Sequence, residues 1–143
     1  MTILDAYCLV ALTLDEPAAA EVQDLLHSGS AAMASLNLAE ALDVLQRRER
    51  RSESEVRSAL APVLRDAVKV VPLETEHAWR AAAIRSRYYA PRDCELSLAD
   101  CVLVSAAGEG DVIATADPAV VATARAEGID VLALPDSRGV RPG

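Results

Sequence analysis

Five short apolar runs recur along the chain, each separated from the next by one or more helix-length segments, and this alternation leaves few folds open. The runs are Met1–Leu4, Ala31–Ser35, Lys69–Leu73, Val112–Thr115 and Asp130–Leu134, each of strand length. Ala6–Leu14 stays apolar too long to be strand and predicts a buried helix. Glu16-Pro17 opens a second helix, with proline in its first turn, and Gly29 closes it. Asn37-x-x-Glu40 predicts the start of a third, with Leu38, Ala41, Leu42 and Leu45 as its apolar face. Ser52-x-x-Glu55 is a capping box for a fourth, Glu53 to about Ala67. Thr75–Tyr89 reads as a helix with Trp79, Ala82 and Ala83 inward, and Leu96–Ala107 as another. Asp117-Pro118 begins a last helix that Gly128 caps. Strands alternating with helices imply an α/β fold, a three-layer α/β/α arrangement with a mostly parallel central sheet. At 143 residues the chain reads as one domain over residues 1–134 with a polar C-terminal tail, 135–143.

No uninterrupted apolar run approaches the length of a membrane span, and the first residues carry no basic, cleavable leader, so a cytoplasmic protein without a membrane partner is expected. Three cysteines without CxxC spacing agree with a reducing compartment, and Cys8 and Cys101 sit in apolar runs as small core residues. A formal charge of −8 argues against an extended basic surface that grips duplex DNA. It leaves open a nucleic-acid enzyme in which metal ions supply the positive charge at the reacting phosphate. GxSxG, GxxxxGKS/T and GxGxxG are all absent, which removes the serine-hydrolase elbow, the P-loop and a dinucleotide cofactor.

Leu96–Ala107 carries one acid, Asp100, in a helix otherwise apolar on every side. A buried carboxylate persists only when paired, hydrogen-bonded or bound to a metal. In an open parallel sheet, ligands bind beyond the carboxyl ends of the strands. Asp5 falls at the end of the first strand and Asp117 just past the fourth, while Glu40 and Asp100 lie in the first turns of helices, so all four point to one edge. At an assumed ~4 Å, two like charges repel by about 4 kcal/mol at an effective dielectric near 20. Four such groups therefore call for a cation or shared protons. Oxygen-only ligands without histidine favour Mg²⁺ or Mn²⁺. A plainer explanation competes: Asn37-x-x-Glu40 and Ser97-x-x-Asp100 match the capping pattern, and Asp5 and Asp117 fit helix N-caps.

Asp5 after a short strand, Asn-Leu-Ala-Glu40, Leu-Ser-Leu-Ala-Asp100 and Ala-Thr-Ala-Asp117-Pro, in that order, resemble the PIN domain, most closely the small VapC-type ribonuclease toxins. The resemblance runs from Met1 to about Leu134. It implies an Mg²⁺/Mn²⁺-dependent endoribonuclease, the toxin of a toxin–antitoxin pair, with RNA as substrate, a cognate antitoxin as partner and a homodimeric assembly. It also implies that Asp5 and Asp100 are the principal metal ligands, that Glu40 and Asp117 complete the catalytic site, and that Thr115 is the hydroxyl residue two positions before the last acid. Tyr7 departs from the Ser or Thr that many relatives have two residues after the first acid. The alternative is a non-catalytic PIN-fold module that binds a protein.

A dehalogenase-like phosphatase would want a second aspartate where Tyr7 stands, and a receiver domain would want a late lysine, whereas the sole lysine is Lys69. Arg47, Arg48, Arg50 and Arg51 end a helix, where cations complement the dipole, or else they contact RNA or a partner. Arg85, Arg87, Tyr88, Tyr89 and Arg92 mix cations with aromatics that can stack on unpaired bases, the alternative for the tyrosines being packing or a dimer surface.

Overall fold

In the computed structural model, which describes residues 1–143, five strands form one sheet in the order β3-β2-β1-β4-β5, and every neighbouring pair is parallel. The strands are β1 (Thr2–Leu4), β2 (Ala31–Ala34), β3 (Val68–Val71), β4 (Val112–Thr115) and β5 (Asp130–Ala133). Helices α1 (Ala6–Leu14), α2 (Ala19–His27), α3 (Ser35–Asp43), α4 (Glu53–Asp66), α5 (Thr75–Tyr88), α6 (Leu98–Ala106) and α7 (Pro118–Ala126) fill the connections. A π-helical turn, Val44–Arg48, extends α3. No helix is long and apolar enough to cross a membrane.

Strand side chains alternate between the two faces of the sheet and build two cores. Leu4, Met33 and Ala114 pack with α1, α2 and α4, while Ile3, Ala32 and Ile113 pack with α5, α6 and α7. Both faces being covered explains why these strands read as continuous apolar runs rather than alternating ones.

The chain builds β1, β2 and β3 outward in one direction, then returns to lay β4 and β5 on the other side of β1. The strand order therefore reverses between β1 and β4, and such a switch point opens a crevice at the carboxyl ends.

Three sequence expectations need correction. The third helix begins at Ser35, directly from β2, so Asn37 does not start it and Glu40 lies in its second turn. With no loop between strand and helix there is no room for an Asn37 cap. The Asn37 amide is buried instead and donates to the Ala99 carbonyl at 3.0 Å, tying α3 to the start of α6. On α5 the inward residues are Ala81 and Ile84, with Tyr88 packed beside them. Trp79 is 73% exposed, and Ala82 and Ala83 are exposed as well. An alanine-rich helix has no strong apolar stripe to set its rotation, and the α6 surface sets it. The sixth helix is apolar apart from Asp100 and Ser105 but not enclosed throughout: Cys101 to Ser105 are buried, whereas Leu98 is 55% exposed.

Residues 135–141 fold back onto the domain. Tyr7 donates to the Pro135 carbonyl at 3.0 Å, and Arg141 reaches both Glu21 and the Ala133 carbonyl.

The two sides of α6 make contrasting predictions. Leu103→Ala removes a fully buried side chain and should cost about 2–5 kcal/mol. Leu98→Ala, at the exposed start, should stay within about 0.5 kcal/mol. Equal losses in urea unfolding would contradict this packing.

Candidate active site

A cleft of about 540 Å³ opens at the carboxyl ends of the strands, and Asp5, Glu40, Asp100 and Asp117 all line it. Each arrives on a different element. Asp5 follows β1 and precedes α1, and it is 7% exposed. Asp117 caps α7, its carboxylate accepting from the Ala119 N–H at 2.8 Å. Asp100 sits in the first turn of α6 within a complete capping box: the Ser97 hydroxyl accepts from the Asp100 N–H at 3.0 Å, and the Asp100 carboxylate accepts from the Ser97 N–H at 2.8 Å. Glu40 comes from α3.

Capping and clustering therefore hold together at Asp100 and Asp117. The local bonds fix each backbone and orient each carboxylate, while the sheet decides that they share a cleft. At Asp5 the capping explanation fails, because its side chain makes no cap bond. Its partner is Thr115, fully buried at the end of β4, whose hydroxyl donates to Asp5 Oδ2 at 2.5 Å and accepts from the Asp117 N–H at 3.1 Å. One hydroxyl thus ties the two strand ends and two of the acids together.

Burial raises the Asp5 carboxyl from 3.8 to about 6; the Thr115 bond opposes this, and the charges of Asp100 and Asp117 add to it. Burial also raises Glu40 from 4.5 to about 7, helped by Asp5, Asp100 and Asp117. Asp100 is raised by burial, against the Ser97 hydrogen bonds. The acids feel one another, and no cationic side chain offsets them. An all-oxygen donor set with unbalanced negative charge fits a hard divalent cation such as Mg²⁺ or Mn²⁺. As the side chains stand, no three His, Cys, Asp or Glu residues converge into a coordination shell.

The sequence model of the PIN domain matches residues 2–138. The chain belongs to the PIN domain family. Similar solved structures include VapBC2 from Rickettsia felis bound to a DNA fragment from its promoter, at 14% identity over 92% of this chain and 96% of that one, with a TM-score of 0.68. FitAcB from Neisseria gonorrhoeae is 19% identical over 92% and 96%, with a TM-score of 0.61. VapC20 from Mycobacterium tuberculosis, described as a sarcin-ricin loop cleaving toxin, is 18% identical over 74% and 80%, with a TM-score of 0.59. At these identities the likeness is one of fold. A search of curated proteins finds no match.

This PIN domain assembles its cleft from more residues than the four acids, one of them being Arg48 of the basic run. Tyr7, Glu16, Arg48, Glu49, Asp136 and Ser137 also line it. Tyr7 stands out in the sequence only as a departure from the family pattern, whereas Asp136 and Ser137 belong to the stretch read as tail. The expected RNA-contact group lies outside the cleft lining. Arg87 and Tyr88 are bound to Glu127, while Arg85 donates to the Leu96 carbonyl at 3.1 Å and stacks on Tyr89 at 4.5 Å. Arg92 is exposed.

The raised carboxyls set a pH dependence. Asp5 and Glu40 hold a proton more tightly in the folded chain than their ordinary values of 3.8 and 4.5 allow, so stability falls as pH rises from those values through about 6 and about 7. For buried Asp5 alone the loss corresponds to about 3 kcal/mol. In chelator, the melting temperature should drop between about pH 4 and about pH 7, Asp5→Asn should reduce the drop, and Mg²⁺ should restore stability chiefly at the higher pH. A flat profile for the parent protein in chelator would refute the electrostatic description.

Proposed function

We propose that this PIN domain is an Mg²⁺- or Mn²⁺-dependent endoribonuclease that hydrolyses RNA phosphodiester bonds and acts in the cytoplasm as the toxin of a toxin–antitoxin pair. The observation that carries the reading is the gathering of Asp5, Glu40, Asp100 and Asp117 from four segments into one open cleft at the sheet's switch point. Helix capping accounts for the local bonds of two of these acids but gives no reason for the four to meet.

Asp5 and Asp100 would be the main ligands of the cation, with Glu40 and Asp117 completing its surroundings. A divalent cation bound there supplies Lewis-acid stabilisation of phosphate charge and a bound water of lowered pKa. Thr115 holds Asp5 in one orientation, and Ser97 does the same for Asp100. Removing such orienting bonds typically costs 10–100-fold in affinity or activity, about 1–3 kcal/mol. The cleft is open to solvent, which is compatible with a polymer substrate.

Support for the biological role comes from the relatives. VapC20 is described as cleaving the sarcin-ricin loop, and other neighbours are toxin–antitoxin complexes, including one from Klebsiella pneumoniae at 18% identity. A cognate antitoxin is the partner this implies. A second copy of the chain is the other proposed partner. Trp79, Ala82, Ser86 and Tyr89 form an exposed stripe along α5, and Leu98 shares a surface hollow with the last three. In this reading Arg85, Arg87, Tyr88 and Arg92 contribute to RNA or partner contact, with Arg85 next to that stripe through its stack on Tyr89.

Cleavage of cellular RNA should require Mg²⁺ or Mn²⁺ and stop in chelator. Asp5→Asn and Asp100→Asn should each reduce it by about a hundred-fold or more while the fold persists, because asparagine keeps the shape and loses the charge. Thr115→Val should reduce it by about 10–100-fold. Folded Asp5→Asn or Asp100→Asn protein that cleaves normally would remove that residue from the site. A parent protein inert on varied RNAs with either metal would favour the protein-binding module.

A further inference from the structure

The arginines that follow α3 do not share one environment. Arg47 is held in a two-pronged ion pair with Asp43 on its own helix, its Nη2 2.9 Å from the carboxylate. Arg50 and Arg51 are exposed beyond the π-helical turn and do not line the cleft. Arg48 alone of the chain's arginines lines it. The cleft-lining residues Glu40, Val44 and Arg48 recur every four residues along α3 and its extension, so one helix face carries both an acid of the site and this cation. The π-helical turn closes with the Glu49 N–H bonded to the Val44 carbonyl at 3.0 Å, which brings Glu49 into the cleft wall as well. Such turns are rare and tend to occur at functional sites.

Arg48 has no ion-pair partner within the molecule, although it borders a cleft rich in carboxylates. It is also exposed, so its guanidinium remains available to a ligand entering from solvent. An RNA strand threaded through this cleft brings a negative charge at every nucleotide, whereas the cleft's other charged side chains are all acidic. A planar five-donor guanidinium at the rim matches a phosphate oxygen pair.

We propose that Arg48 is a substrate-binding residue that grips a backbone phosphate of single-stranded RNA next to the one being cleaved. This rests on the nuclease reading above. Arg48 positions the strand and takes no part in bond breaking. The contact carries no base information, since every nucleotide presents the same phosphate.

The test is binding of a labelled, mixed-sequence single-stranded RNA to the whole protein, with Ca²⁺ in place of Mg²⁺, across a range of salt concentrations. Arg48→Ala should weaken binding about ten-fold. It should also reduce the slope of log affinity against log salt by about 0.7, the signature of one lost single-strand phosphate contact. Arg48→Lys should restore the slope and only part of the affinity, because lysine keeps the charge without the fork. Arg51→Ala, outside the cleft, should match the parent. In cleavage assays with Mg²⁺, Arg48→Ala should raise KM far more than it lowers kcat. An unchanged affinity and slope for Arg48→Ala, or an equal loss for Arg51→Ala, would overturn the assignment while leaving the nuclease reading intact. A parent protein that neither binds nor cleaves RNA would overturn both.

Discussion

β1 and β4 run side by side in the same direction, so their carboxyl ends finish together, and the site depends on that adjacency. Asp5 follows one strand and Thr115 ends the other, and the Thr115 hydroxyl spans the gap between them. The same oxygen accepts the Asp117 N–H, so the turn into α7 is set by the bond that orients Asp5. Each link uses a hydrogen bond inside a region where an unpaired polar group would cost about 1–3 kcal/mol. The arrangement is thus over-determined by the core beneath it, where Leu4 and Ala114 are fully buried.

Upon that base the molecule gathers negative charge against its own stability. Asp5 and Glu40 are pushed well up by burial and by neighbouring acids, Asp100 and Asp117 among them, and the pairs Ser97–Asp100 and Thr115–Asp5 only partly offset the strain. A fold selected for stability alone would place apolar or paired groups there. Local conflict of this kind, in a structure otherwise consistent from strand pattern to packing, is where function is expected. The contrast within the arginines points the same way. Arg47 and Arg57 are committed to helical neighbours four residues away, whereas Arg48 faces the acids without a partner.

How much could be read beforehand differed by element. The strands and the helix between Ser52 and Asp66 were legible because their signals are local: strand-length apolar runs, and a capping box that the structure contains bond for bond. Asp5 and Asp117 were legible because they follow strand ends, whereas Glu40 and Asp100 stood out as acids among apolar helix residues. The rotation of α5 was not, since alanine is accepted on either side of a helix and only the facing surface of α6 chooses Ala81 and Ile84 over Ala82 and Ala83. Asn37 misled for a related reason. Its spacing to Glu40 imitates a cap, but its amide is used across a helix–helix contact to Ala99, sixty-two residues away.

By itself the sequence determined the layered parallel architecture, and it singled out four acids that the fold brings to one cleft, because period, length and punctuation act over a few residues. Tertiary structure alone decided which groups share the cleft with them. Tyr7, Arg48 and Asp136 come from three separate segments, and although Arg48 stands in a basic run and Tyr7 in a family motif, no local pattern places them together. The physical reason is that local propensity sets the conformation of a segment but not its neighbours. Neighbours follow from the strand order, which brings the end of β1 against the end of β4 and folds the last residues over α1.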